Sequence, residues 1–299
     1  MAMLMKGETF ADAQKLVKGK PRFEYPVWVE AKADEIRCRV VHTETGLVRF
    51  DSYAEKPLHN MDFLAPAFSA FFDRTGLNEL DIGILVNDNF NDSYRWVRSS
   101  KGYPKEKCDR KTGRTAPELF EHQVHVIVFD MPESTQRFED RLEERRKVRD
   151  LLLDCGVPAS VPIGQYANNA AEVLQMYGDL RLDGYEGAMA KTLDHLYSRT
   201  RTFDWMKIKP KIDFDGVITG INEAFSEAGE PLGRAGSLTI QVADGSTAQP
   251  AGIPHGLGRL IWENQAEYMG QWVEAECMER DRKGGYRHPI FNRFREDKA

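Results

Sequence analysis

No stretch of this 299-residue chain approaches the ~20 consecutive apolar residues of a membrane helix. The opening MAMLMKGETF holds too short an apolar run for a secretory leader, so no membrane partner and a cytoplasmic location are expected. Cysteine is scarce: Cys38, Cys108, Cys155 and Cys277 stand far apart without a CxxC pair, which argues against a zinc ribbon or a disulfide scaffold. Positive charge is not in excess either. A net charge of −6 excludes a protein that holds nucleic acid simply by being basic overall. Internal repeats and low-complexity runs are missing as well.

What is present suffices for a core: 41% of residues are hydrophobic and 29% charged, over a length that fits about two domains of ~150 residues. The charge is unevenly spread. Residues 95–114, RWVRSSKGYPKEKCDRKTGR, set eight basic residues against Glu106 and Asp109, with Trp96 and Tyr103 among them. A second basic stretch, RDRKGGYRHPIFNRFREDK, closes the chain. Either alone reads equally well as a solvated loop, but two on an acidic chain favour a localised anionic partner.

Periodicity predicts a short helix over FADAQKLVKG, a hairpin over IRCRVVHTETGLVRFDS, a helix near FLAPAFSAFFDRTG, and strands at LDIGILVND and HQVHVIVFD. TQRFEDRLEERRKVRDLLLDCG is the most helical segment, with Leu142, Val148, Leu151 and Leu152 as an apolar stripe and Gly156 as a stop. Another helix is expected at NAAEVLQMYGDL, then short strands at GAMAK and WMKIKP. Beyond Pro210, short strands divided by Gly, Pro and polar turns suit a small barrel, with a boundary near residues 211–213.

Lys32 stands between two strand-like segments in EAKADEIRCRV, where most lysines merely meet solvent. Strand alternation puts Trp205, Lys207 and Lys209 of DWMKIKP on one face, and Glu186 at the lip of a Gly184 to Gly187 turn. An amphipathic strand showing lysines to water explains the first equally well, and a solvated glutamate the second. A glutamate there is also suited to a divalent metal. His122 and His125 form HxxH, but one strand supplies no complete ligand set.

The order KADEIR at 32–37, EGAMAK at 186–191, KIK at 207–209 and RHPIFNRFREDK at 287–298 resembles the ATP-dependent polynucleotide ligases of the covalent nucleotidyltransferase superfamily. Most similar are the small phage-type DNA ligases, whose last motif matches at Arg287, Pro289, Phe291, Arg293, Arg295, Asp297 and Lys298. The resemblance implies an α+β fold. A nucleotidyltransferase domain of antiparallel sheets with flanking helices would span 1–210, and a C-terminal OB-fold β-barrel 211–299. It implies ATP and Mg²⁺ (or Mn²⁺) as cofactors, nicked duplex DNA as partner, a monomer, and a cytoplasm that is bacterial or that of a phage host.

By that resemblance Lys32 attacks the α-phosphate of ATP, AMP passes to the 5′-phosphate of a nick, and the 3′-hydroxyl displaces it. Catalytic roles fall to Lys32, Asp34, Lys207, Lys209, Arg293 and Asp297. Nucleotide contacts fall to Glu30, Arg37, Phe129, Glu186, Lys191, Lys207, Lys209 and Arg295. Metal ligation is implied for Glu186, Asp34 and Asp81, and DNA contact is assigned to Arg95, Arg98 and Lys101. The tail would swing over the site to orient pyrophosphate. Lysine attacks only when neutral, and its ordinary pKa is ~10.4, so Lys207 and Lys209 are expected to lower that of Lys32 by like charge.

Three departures mark the sequence. Glu35 replaces the glycine after the motif aspartate, and LDIG carries Gly83 where a ribose- or metal-contacting glutamate is expected. Either Glu35 or Asp81 is expected to supply the missing carboxylate. Ser52 and Lys56 stand where an arginine often follows the hairpin. An RNA ligase, a capping-type nucleotidyltransferase and a catalytically weak nick-binding protein are the alternatives. NAD is not expected, for want of an extra N-terminal module or a zinc-binding cysteine cluster.

Overall fold

Alternating segments such as VWVEAK and IRCRVVH become strands, with one side chain in two turned to a core. The computed structural model describes residues 4–98, 123–280 and 284–298. The chain divides into two compact units, Met1–Ile208 and Lys209–Ala299. The architecture is mixed α+β with several sheets.

In chain order the first unit contains β1 (Lys6–Thr9), α1 (Phe10–Ala13), β2 (Val27–Lys32), β3 (Ile36–His42), β4 (Val48–Ser52), α2 (Ala65–Thr75) and β5 (Glu79–Val86). It continues with α3 (Phe90–Val97), β6 (Val124–Asp130), α4 (Phe138–Asp154), β7 (Ala159–Ser160), β8 (Gly164–Ala167), α5 (Ala170–Leu182), β9 (Gly187–Thr192) and β10 (Arg201–Ile208). Two five-stranded sheets result, ordered β1-β10-β9-β2-β8 and β4-β3-β5-β6-β7.

Each sheet buries one face in its own core. Val27, Val29, Ala188, Ala190 and Met206 join Phe10 and Val173 beneath the first. Cys38, Val40, Ile82, Ile84 and Val126 join the phenylalanines of α2 and the aliphatics of α4 beneath the second. Burial at that scale, at ~25 cal/mol per Å² of apolar surface, is what holds such sheets together.

Two expectations are corrected. The sheets are not purely antiparallel, because β1 runs parallel to β10 and β7 parallel to β6. The first helix does not continue to Gly19: it closes after four residues, and Lys18 and Gly19 take positive φ so that Val17 and Lys20 pair instead. Thr9 starts it, its hydroxyl accepting from the Asp12 amide.

The second unit contains β11 (Ile212–Phe225), β12 (Pro231–Val242), β13 (Thr247–Ala248), α6 (His255–Glu263), α7 (Gln265–Tyr268), β14 (Trp272–Cys277) and β15 (Ile290–Phe294). Its sheet runs β13-β12-β11-β14-β15. Single-residue bridges join Ala251 to Ser237 of β12 and to Ile290 of β15. Helix α6, which turn-rich composition did not announce, packs Ile261 into the core with Leu238, Ile240 and Val273. No helix among the described residues is long and apolar enough to cross a membrane.

Candidate active site

Strand parity assembles the site. Directly opposed residues in β2, β9 and β10 share a face, so Trp28, Glu30 and Lys32 line up with Lys191, Met189 and Gly187, and these in turn with Trp205 and Lys207. Between them Val29, Ala188, Ala190 and Met206 belong to the core described above. Across a cleft stand Arg37 from β3 and Phe129 from β6, with Glu35 in the turn between β2 and β3. Lys32, Lys191 and Lys207, the first lysine of KIK, thus share one sheet face, with Arg37 across the cleft. Lys209 lies past the end of β10 and begins the second unit.

The expected environment of Lys32 is overturned by its neighbours. Its Nζ donates to Glu186 and, at 3.2 Å, to the Ala33 carbonyl, with Glu35 Oε2 3.8 Å away. Burial pulls the Lys32 pKa down, but Glu35 and Glu186 outweigh it and hold the group above the ordinary lysine value. Lys32 is therefore an ammonium in an acidic nest rather than an amine primed by like charge.

The lysine with a depressed pKa is Lys191. Burial, with Arg145 close by, lowers it to about 8 against the opposing pull of Glu30. Its Nζ is 2.5 Å from Glu30 Oε1 and 3.9 Å from the centroid of a Trp205 ring. Glu30 is 2% exposed and also accepts from Arg145 Nη2 at 2.9 Å and Trp28 Nε1 at 3.1 Å. Burial alone would raise its pKa, yet Arg145 and Lys191 keep it below the usual range. Glu30 consequently acts as an internal anchor beneath the cleft, its charge spent on protein cations.

Asp81 is corrected as a metal candidate. Fully buried, it accepts from Arg37 Nε at 2.9 Å and Nη2 at 2.5 Å, and from the Tyr197 hydroxyl at 2.8 Å. Both oxygens are engaged, and the pair fixes the Arg37 guanidinium as a rigid fork at the cleft, 5.2 Å from a Trp205 ring. Glu186, 6% exposed, faces Lys32. Asp34 is partly buried in the turn beside Glu35.

Several residues here went unread in the sequence. Arg141 and Arg145 of α4 are buried, Arg141 pairing with Asp130 at 2.7 and 3.0 Å and Arg145 donating to the Phe129 carbonyl at 3.0 Å. That last bond fixes the backbone under the aromatic ring. His195 is kept neutral mainly by burial, its pKa lowered to about 4, and accepts from Trp205 Nε1 at 3.1 Å. The i, i+4 spacing of Arg141 and Arg145, beside Leu142 and Val148, was the available signal.

Arg95 and Arg98 are exposed at the end of α3, each 5.0 Å from an aromatic centroid, Trp96 and Tyr94 respectively. Lys101 and His122 lie outside the described residues. His125 contacts Ser160 Oγ at 2.8 Å, and no group of three or more His, Cys, Asp or Glu able to hold a metal occurs among the described residues. In the second unit Arg293 pairs with Glu274 at 2.8 Å, and Arg295 with Asp215 at 2.9 Å and Asp297 at 2.7 Å.

No family model matches the chain. The DNA ligase of Enterobacteria phage T3 is 28% identical over 125 residues, covering 40% of this chain and 36% of that enzyme. The chain spans about a third of the length of the curated relatives it matches. Among solved structures, one from a study of Lig E DNA ligases is 19% identical with a TM-score of 0.67, covering 98% of each chain. The ATP-dependent DNA ligase of bacteriophage T7 in complex with ATP is 18% identical with a TM-score of 0.57, again over 98% of each chain. The resemblance read from the motifs is borne out: the chain is similar in sequence to phage DNA ligases and shares its fold with solved DNA ligases.

Proposed function

We propose that the chain is an ATP-dependent DNA ligase that seals nicks in duplex DNA through a lysyl-AMP intermediate and an adenylylated 5′-phosphate. The observation that carries this is Lys32 itself, at the end of β2, sharing a sheet face with Met189, Lys191, Trp205 and Lys207, opposite Arg37 and Phe129. Cations, a flat ring and a facing lysine are what binding and attacking an adenylate donor require. The names of the phage relatives and of the neighbours of like fold support the reading.

In the first step Nζ bonds to the α-phosphorus of ATP as the bond to pyrophosphate breaks. Lys32 must first shed a proton, and Glu186 is the carboxylate to which its Nζ donates. Phe129 offers its face to the base, while Arg37 and Lys207 meet sugar and phosphate oxygens. AMP then moves to the 5′-phosphate of the nick, and the 3′-hydroxyl displaces it. Positioning and charge neutralisation are the protein's share of each transfer.

Mg²⁺ fits as a companion of the triphosphate rather than a resident ion, since it is commonly held by one or two carboxylates and substrate phosphates. Glu186, with Asp34 beside the nucleophile, would hold it, and it would offset the phosphate charge. Residues 1–208 are then the adenylation domain. The second unit is an OB-type barrel in this reading, supported by its five-stranded sheet and the bridges through Ala251. Its Arg293, Arg295 and Asp297 would orient pyrophosphate, with Arg95, Arg98 and Lys101 gripping nicked DNA. A monomer acting in a bacterial or phage-infected cytoplasm completes the proposal.

The test is incubation with labelled ATP and Mg²⁺ followed by denaturation. A stable AMP adduct is expected, lost in Lys32→Ala, and the wild-type chain should seal a nicked duplex. A wild-type chain that carries no label rules the proposal out.

A further inference from the structure

One carboxylate oxygen in the cleft accepts nothing from the described residues. Glu35 has a side chain only 10% exposed, and its Oε2 is shut off from solvent with no hydrogen-bond donor among the described residues. The nearest cation, Lys32 Nζ, is 3.8 Å away and already donates to Glu186. A buried acceptor left open is costly, so an oxygen like this is expected to receive a donor when the cleft is filled.

The course of the Glu35 side chain is set by position 83. A methyl group there would lie 2.5 Å from Glu35 Cγ and 2.7 Å from the Phe129 ring, closer than carbon atoms approach. Gly83 is opposite Arg37 in the β3–β5 register, so a side chain there would be on the same sheet face as Arg37. The glycine at 83 and the glutamate at 35 are thus one arrangement: the Glu35 stem runs through the space that any side chain at 83 would occupy.

We infer that Glu35 recognises the ribose hydroxyls of the bound nucleotide. The inference rests on the lysyl-AMP reading and adds the residue that selects the sugar. Phosphate oxygens are acceptors and are repelled by a carboxylate, so the donors a nucleotide can offer are its ribose hydroxyls and its base amino group. Lys32 attacks the α-phosphate, the ribose is joined to that phosphate, and the base lies beyond the ribose. A carboxylate 3.8 Å from the attacking nitrogen therefore meets the sugar first. Asp81 does not compete for this role, with both oxygens taken by Arg37 and Tyr197.

Formation of the Lys32 adduct is to be measured with ATP, 2′-deoxy-ATP and 3′-deoxy-ATP, on variants shown to be folded by circular dichroism. Wild type should favour ATP over at least one deoxy analogue by about tenfold or more, the range of a hydrogen bond to a charged group. Glu35→Ala should bring that preference to about threefold or less, with the loss falling on ATP, and Glu35→Gln, which keeps an acceptor oxygen, should fall between. Gly83→Glu alone should lose adduct formation by collision, and adding Glu35→Gly should restore it together with the preference for ATP. Equal slowing of all three nucleotides in Glu35→Ala and Glu35→Gln overturns the inference, as does an unchanged preference. A wild-type chain without any adduct overturns the lysyl-AMP reading first, so the two failures are distinct.

Discussion

Tyr197 and Arg37 both spend their polar groups on Asp81, and the Met5 amide in turn donates to the Tyr197 hydroxyl at 3.0 Å. Removing one member of a buried ion pair strands the other, so Asp81→Ala should cost about 3–5 kcal/mol in urea unfolding, whereas Tyr197→Phe should cost only about 1 kcal/mol. An Asp81→Ala midpoint within error of wild type would show that the pair does not carry this load. In the sequence the aspartate looks like a metal ligand because its partners are invisible there: Arg37 is 44 positions away and Tyr197 116. The surroundings of Lys32 are hidden in the sequence for a related reason. Its motif was legible, but the sign of its surroundings depended on which carboxylates folded against it.

At the scale of elements, α4 joins the two sheets through charge as well as through its leucines. Arg141 reaches Asp130 at the end of β6, and Arg145 spans from the Phe129 carbonyl to Glu30 in β2. Arg145→Met should therefore weaken adduct formation as well as stability, because it frees both the Phe129 backbone and the Glu30 carboxylate. Arg141→Leu should cost about 3–5 kcal/mol, and pairing it with Asp130→Leu should recover part of the loss. Urea unfolding of the two single variants and the double variant measures this.

Element positions were largely legible, since apolar period marks a buried face whatever lies opposite. Charged partners were not, because periodicity in RLEERRKVRD cannot tell an inward arginine from a solvated one. Nor could it show that β1 joins β10, with Lys6 opposite Arg201 across nearly the whole first unit.

For the whole molecule, buried carboxylates set the response to acid. Glu30, Asp130 and Glu79 all have pKa values below the ordinary range; burial opposes this in each, and their arginine partners outweigh it. A depressed folded-state pKa means stability that is complete above the unfolded value of ~4 and lost as pH falls through the folded one. The urea midpoint should hold from neutral pH to about pH 5 and drop steeply below pH 4. A flat profile there would contradict the pairing. DNA affinity should fall with salt, and Arg95→Ala with Arg98→Ala should weaken nick binding, reduce the log–log salt slope by about two, and spare the AMP adduct. Gel shifts over a salt series give both quantities.

The arginines of the C-terminal strand have a different consequence. Arg293 and Arg295 come with Glu274, Asp215 and Asp297 already at their nitrogens, and Lys298 with Asp215 at 2.7 Å. Any phosphate that meets them takes part in an exchange, displacing a protein carboxylate instead of a condensed salt ion. Such a surface draws little from the release of bulk ions, and its grip should vary less with ionic strength than its basic sequence suggests.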